Sequence, residues 1–138
     1  MFDFLFSLNF FSDFGLFVLR LAIAAIFIVH GVKKWAMWKM QPSPQMPAGM
    51  LSVMKILAIA EPFGGLALLA GFLTQLAALG FSIIMLGAIY YKTRVWKTPF
   101  AAQDKMGWEF DLVLLAGNLL LLIAGAGVLS LDRVFLGL

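Results

Sequence analysis

Cysteine is absent from this 138-residue sequence. Disulfides, thiolate catalysis, iron–sulfur clusters and thiolate zinc sites therefore cannot come from this chain alone. There is a single histidine, His30, so a monomer can form neither a bis-histidine haem site nor a multi-histidine metal site. Charge is also scarce: 12% of residues are Asp, Glu, Lys or Arg, against about 25% in a soluble domain. Disorder is excluded, because it needs low hydrophobicity and high charge. Nucleic-acid binding needs a basic face, whereas the net charge here is a modest +3 and the basic residues sit in loops flanking apolar runs.

What is abundant is apolar surface, with 63% of residues hydrophobic. A soluble globular domain of this size could not hide that much from water. The chain reads as an all-α integral membrane protein. A spanning helix takes about 20 residues, so four spans use most of the chain as a single domain over residues 1–138. The spans are expected at about 14–32, 56–74, 75–91 and 109–128, packed as a four-helix bundle in up-down-up-down order. Residues 1–13 lack the Lys or Arg that opens a secretory signal. This stretch fits two readings: a short helix lying in the interface, or the aromatic-rich start of the first span. Residues 48–55 fit a further interfacial helix leading into the second span.

Orientation follows from the loops. Lys33, Lys34, Lys39 and Lys55 lie in the first loop, Lys92, Arg94, Lys97 and Lys105 in the third, and only Arg133 on the other side. Basic loops stay in the cytoplasm. Both termini are thus expected outside a cell (inner) membrane, with loops 33–55 and 92–108 inside. Trp35, Trp38, Trp96 and Trp108 all fall at the inner interface, where Trp is favoured as an anchor. Small residues at helical spacing, Ala60, Gly64, Ala67 and Gly71 with Gly65 beside them, and Gly80 and Gly87 on the third span, suit close helix approach.

Ionisable groups inside a span cost about 2.5–3.5 kcal/mol each and are functional candidates by default. Arg20, His30, Glu61 and the polar Asn118 lie within spans, and Glu109 and Asp111 open the fourth. At 1.5 Å per residue, Arg20 lies roughly 9 Å below the outer surface, His30 about 24 Å down, and Glu61 about 8 Å above the inner surface. His30 and Glu61 therefore share a level, while a long Arg side chain could also approach Glu61. Both pairings stay open, with His30 favoured on depth. Tyr90, Tyr91, Glu109 and Asp111 project to the same inner level. Pro62, directly after Glu61, disturbs the helix there, and Gly64 and Gly65 leave space one turn on. A carboxyl group at such a break, near a histidine, suits binding of a polar head group or a proton relay. The same residues admit a purely structural role. Arg20 can snorkel, His30 can bond a backbone carbonyl, and Asn118 is expected to make an interhelical hydrogen bond. Met37, Met40, Met46, Met50 and Met54 could hold copper(I), but Met is also a flexible filler, and no metal site is expected.

Four features coincide: Arg20 followed by His30-Gly31-Val32-Lys33-Lys34, then Glu61-Pro62-Phe63-Gly64-Gly65 with Gly71-Phe72-Leu73-Thr74, then Gly107-Trp108-Glu109-Phe110-Asp111, and finally Leu129-Ser130-Leu131-Asp132. In order and spacing the chain resembles the DoxX family of small four-helix membrane proteins, over about residues 14–133. The resemblance implies a link to quinone-coupled redox systems, or an accessory role in membrane redox or stress-response assemblies. It places Arg20, His30, Glu61, Trp108, Glu109 and Asp111 at the family's polar positions. Gln75 stands where the family's frequent Arg would be expected.

Three functions are weighed. The first is an accessory subunit of a quinone-linked membrane redox system, with Glu61 and His30 or Tyr91 holding a quinone head group. Nothing is bound covalently, and electrons come from a protein partner, an oxidoreductase. The second is a non-catalytic membrane scaffold or assembly subunit with a membrane or cytoplasmic partner. The third is a small-solute or proton-coupled transporter. It ranks last because small multidrug transporters carry their membrane carboxylate in the first span and lack this charge bias.

Overall fold

The computed structural model describes residues 8–137. Among them there is no β-strand, and only one isolated backbone bridge, Ser43–Met46, pins the first loop. Four long helices are present: α1 (Ser12–Lys34), α2 (Ala48–Ala70), α3 (Thr74–Tyr90) and α4 (Trp108–Ala124), followed by a short α5 (Leu131–Phe135). A 3-10 turn extends α1 through Trp35–Lys39, and a π turn extends α3 through Tyr91–Val95. With those extensions α1, α2 and α3 are long and apolar enough to cross a membrane. Helix α4 has 17 residues, or about 26 Å of rise. Most of residues 1–13 lies outside the described part. Leu8–Phe11 is a 3-10 turn continuous with α1.

Each helix shows why it forms and where it stops. The buried residues of α1, Arg20, Ile23, Ala24, Phe27 and Gly31, recur at three- and four-residue spacing, which puts them on one side. Helix α2 begins directly after Pro47 and runs unbroken through the stretch expected as a separate interfacial helix. It ends earlier than the expected 74. Gly71 adopts left-handed backbone (φ +67°), and Phe72 N–H closes onto Ala67 O at 2.9 Å, the usual glycine stop. The turn to α3 is therefore Gly71-Phe72-Leu73, not Thr74-Gln75. Helix α4 starts after Gly107, with Glu109 and Asp111 in its first turn, where negative charge favours the helix dipole. It stops at Gly125 (φ +78°).

Packing pairs run in opposite senses. Along α1 and α2, a methyl group at Gly65 would lie 3.1 Å from Ala24 O, and Gly31 meets Pro62 further on. Along α3 and α4, Gln75 Nε2 donates to Leu122 O at 2.7 Å, and Lys92 meets Asp111 at the far end. Helix α1 also packs on α4, where Gly117 faces Ile23 and Leu19. The centre is filled by Phe27 stacked on Phe81 at 3.7 Å between centroids, with Ile23, Leu68, Leu114 and Leu121 around them. Gly64, Gly65 and Gly71 sit at close approaches. Gly80 and Gly87 do not. Both are exposed, with nothing within 4 Å of an added methyl group, so they are not packing residues within this chain.

Proline at position 62 leaves a definite gap in α2. It has no N–H, so the carbonyl four residues back, that of Ala58, loses its helix partner. That carbonyl is met from α1: Trp35 Nε1 donates to Ala58 O at 2.8 Å. Trp35 is thus more than an interface anchor. The proline ring itself packs against Gly31, where a Cβ would lie 2.6 Å from Pro62 Cγ and 2.9 Å from Glu61 Cβ. Only glycine admits this crossing.

Candidate functional site

The polar residues gather at both ends of the bundle, in two arrangements of different kinds. At the end opposite the lysines, Arg20 is fully buried and its guanidinium donates to Leu129 O. Its Nε and Nη1 have no hydrogen-bond partner. Gly71 lies directly over it, too close for any Cβ. Beside it, Asp132 accepts from Leu73 N–H at 2.6 Å and Thr74 N–H at 2.9 Å, and donates its own N–H to Gly71 O at 2.8 Å. Its carboxylate caps α3 from 58 residues away, satisfying N–H groups that a helix start leaves free. It also supplies negative charge near the buried guanidinium. Arg20 therefore belongs to a structural clasp, well away from Glu61.

At the lysine-bearing end, the four helices enclose a cavity of about 400 Å³. Its apolar walls include Ile26, Phe27, Leu57, Met85 and Leu114, and its polar members are His30, Lys34, Glu61, Tyr91, Lys92 and Asp111. Two ion pairs set its electrostatics. Lys34 of α1 closes tightly on Glu61 of α2, whose carboxylate is almost wholly buried. Lys92, in the π turn, lies 2.6 Å from Asp111 Oδ2 of α4. Each pair ties one helix to its neighbour, and together they leave the lining balanced in charge. The π turn begins at Tyr91 and Lys92, the two α3-side polar residues of the cavity. Such wide turns recur at functional sites.

Neither of the two expected partners of Glu61 is its partner here. Depth placed His30 correctly in height but not in angle. Gly31, Lys34 and Trp35 share the side of α1 that meets α2. One residue along a helix is a rotation of about 100°, so His30 turns towards α4, its ring 6.0 Å from that of Phe110. Lys34, missed as a site residue, reaches back along its flexible stem to Glu61. Its signal was the three-residue spacing from Gly31, which puts both on one side of α1. Lys92 was missed because basic residues after a span read as orientation signals alone. Asp132 was missed because its partners are far away in sequence.

The other candidates fall outside the cavity lining. Tyr90 is exposed and packs edge-on to Tyr91 at 5.8 Å. Trp108 packs edge-on to Phe100 at 4.6 Å, securing the loop before α4. Glu109 is half-buried in the first turn of α4. Asn118 is fully buried, and its Nδ2 donates to Leu114 O of its own helix at 2.8 Å. This is an intrahelical bond, where an interhelical one was expected. Among the described residues no group of three or more His, Cys, Asp or Glu could hold a metal ion.

With this geometry in view, comparison with known proteins decides the family. The DoxX family model matches residues 15–94, more than half of the chain. The chain belongs to the DoxX family. The matched stretch carries His30, Lys34, Glu61, Tyr91 and Lys92; Asp111 lies beyond it. A protein of Bacillus subtilis (strain 168) described as "Putative oxidoreductase CatD" is 31% identical over 123 residues, covering 87% of this chain and 86% of that protein. No solved structure matches.

Proposed function

We propose that this DoxX-family protein crosses a cell (inner) membrane four times, up-down-up-down, as a single domain with both termini outside and the lysine-bearing end in the cytoplasm. Its cavity then receives the head group of a quinone. The protein acts as an accessory subunit whose electrons come from a partner oxidoreductase. The observation that carries this reading is the cavity itself. It pairs apolar walls with two ion pairs, a histidine and a tyrosine at one level. Ligand sites are typically of roughly 300–1,000 Å³, mostly apolar, with a few convergent polar groups.

The donor set fits such a head group. The Lys34 and Lys92 ammonium groups and the Tyr91 hydroxyl offer donors to its oxygens, and the Glu61 and Asp111 carboxylates accept from its hydroxyls when reduced. A bound quinone would supply reversible two-electron, two-proton chemistry. The chain's own part is to hold and move protons. Glu61 is the buried carboxylate, paired with Lys34, and His30, one turn from Lys34, offers a second exchangeable site. The apolar walls exclude water. The name of the Bacillus subtilis relative supports a redox setting.

Organic extraction of the purified protein should yield quinone in stoichiometric amount, lost on Glu61→Gln. Protein that carries no quinone and shows no thermal shift with added quinone would overturn the reading. One observation favours a scaffold or assembly role instead: each of the cavity's two carboxylates is already paired with its own lysine, as a purely structural tie would be. In that case an oxidoreductase recovered with the protein keeps its turnover when Glu61 is replaced by Gln. A transporter draws no support from the centre of the bundle, where stacked Phe27 and Phe81 fill the space beyond the cavity.

A further inference from the structure

The cavity has four seams between neighbouring helices, and side-chain contacts at its own level cross three of them. Between α1 and α2, Gly31 meets Pro62, Lys34 meets Glu61, and Trp35 bonds to Ala58 O. Between α3 and α4, Lys92 meets Asp111. Between α1 and α4, His30 lies on Phe110, and Gly117 faces Ile23. The seam between α2 and α3 is different. It is closed at the Gly71–Leu73 turn and where Gly64 faces Phe81, with 2.7 Å between that ring and an added Cβ. Beyond that point its flanking residues both line the cavity and face outward: Val53 of α2 is 45% exposed, Ile83 of α3 is 62% exposed, and Gly87 is exposed as well. Nothing lies within 4 Å of a methyl group added at Gly87.

We propose that this seam is a lateral portal. The cavity is entered from within the bilayer, and its ligand is a tailed amphiphile whose chain leaves between Val53 and Gly87. This rests on the quinone reading and adds route and ligand class to it. The depth is right for a tail. Gly87 lies five residues before Lys92 and Ile83 nine before, or about 7 and 13 Å further into the membrane. A head group held at the Lys92–Asp111 pair thus has its tail directed into hydrocarbon. The glycine is the determinant. Any large side chain at position 87 would stand in the opening, whereas Gly80, two turns back and equally exposed, does not line the cavity.

The test compares a benzoquinone with a long polyisoprenoid tail and the same ring without a tail, each bound to protein in nanodiscs and counted after extraction. Gly87→Trp should weaken the tailed ligand by at least about tenfold, or roughly 1.4 kcal/mol, and leave the tail-less ring essentially unchanged. Val53→Trp, across the opening, should do the same, which keeps the test decisive if one variant misfolds. Gly80→Trp should change neither ligand. If both portal variants keep the tailed ligand at full affinity, or lose both ligands together while still folded, the portal is wrong and the quinone site stands. If the unmodified protein binds neither ring, the quinone reading fails, and the portal fails with it.

Discussion

Replacing Trp35 by Phe tests the most unusual bond in the bundle. Phe keeps an aromatic ring but removes the indole N–H that donates to Ala58 O at 2.8 Å, together with part of the ring's area. Ala58 is fully buried, and its usual helix donor is missing because residue 62 is proline. The substitution therefore orphans a buried carbonyl, which costs about 1–3 kcal/mol. In a Pro62→Ala background the backbone N–H of residue 62 returns to that carbonyl, so the same Trp35→Phe change should cost only the lost ring area, which the cycle cancels. Pro62→Ala alone should be mild, since it gains a helix bond and loses ring packing against Gly31. The experiment is a double-mutant cycle on reversible unfolding in mixed detergent micelles, followed by helical circular dichroism. The expected coupling between the two sites is about 1–3 kcal/mol. An equal cost of Trp35→Phe in both backgrounds would show that the indole does not serve the carbonyl and acts only as an interface anchor.

Other consequences follow from the same contacts. Gly31→Ala forces a Cβ against Pro62 and should destabilise by about 1–3 kcal/mol, whereas Gly80→Ala meets nothing and should be neutral or stabilising; unfolding of the pair side by side reads the difference in sign. Lys34→Met leaves the Glu61 carboxylate buried without a partner and should cost about 3–5 kcal/mol, most of it recovered in the Lys34→Met, Glu61→Leu double variant; a double variant no better than the single one would show that the ion pair does not couple α1 to α2. Asp132→Ala should cost about 0.5–2 kcal/mol from the lost cap of α3, and more from the unbalanced charge of Arg20; Asp132→Asn keeps one acceptor for the cap, so the gap between the two variants in thermal unfolding measures the charge part. For orientation, a maleimide applied from outside should label Ser7→Cys and not Ser43→Cys.

The helical, membrane-spanning character of the chain was legible because it depends on composition and run length, which a sequence carries openly. Helix ends were less so. The second span reads as starting near Ile56, since Ser52 and Lys55 dilute the run before it, although the helix begins at Ala48. Its end at Gly71 is hidden by the apolar Phe72-Leu73 that follows, and the start of α3 depends on Asp132, 58 residues on from Thr74. At the site, depth along a helix is countable, and it brought His30, Glu61, Tyr91 and Asp111 to one level. Angle around the helix is not countable without the crossing, which Gly31 and Pro62 set between them. The partner of Glu61 was therefore misassigned to His30 or Arg20, when Lys34 was the residue turned towards it. Gly80 and Gly87 have the spacing of packing residues, yet nothing lies within 4 Å of a methyl group added at either.

The clasp around Asp132 also orders events in time. Synthesis runs from the amino end, so Arg20 enters the membrane long before its acceptor, Leu129 O, and the nearby Asp132 exist. Until residues 129–132 are made, the guanidinium lacks both, and the start of α3 lacks its cap. The bundle can close at this end only when the last helix pair is in place. A chain stalled at any earlier point carries an unanswered charge inside the membrane.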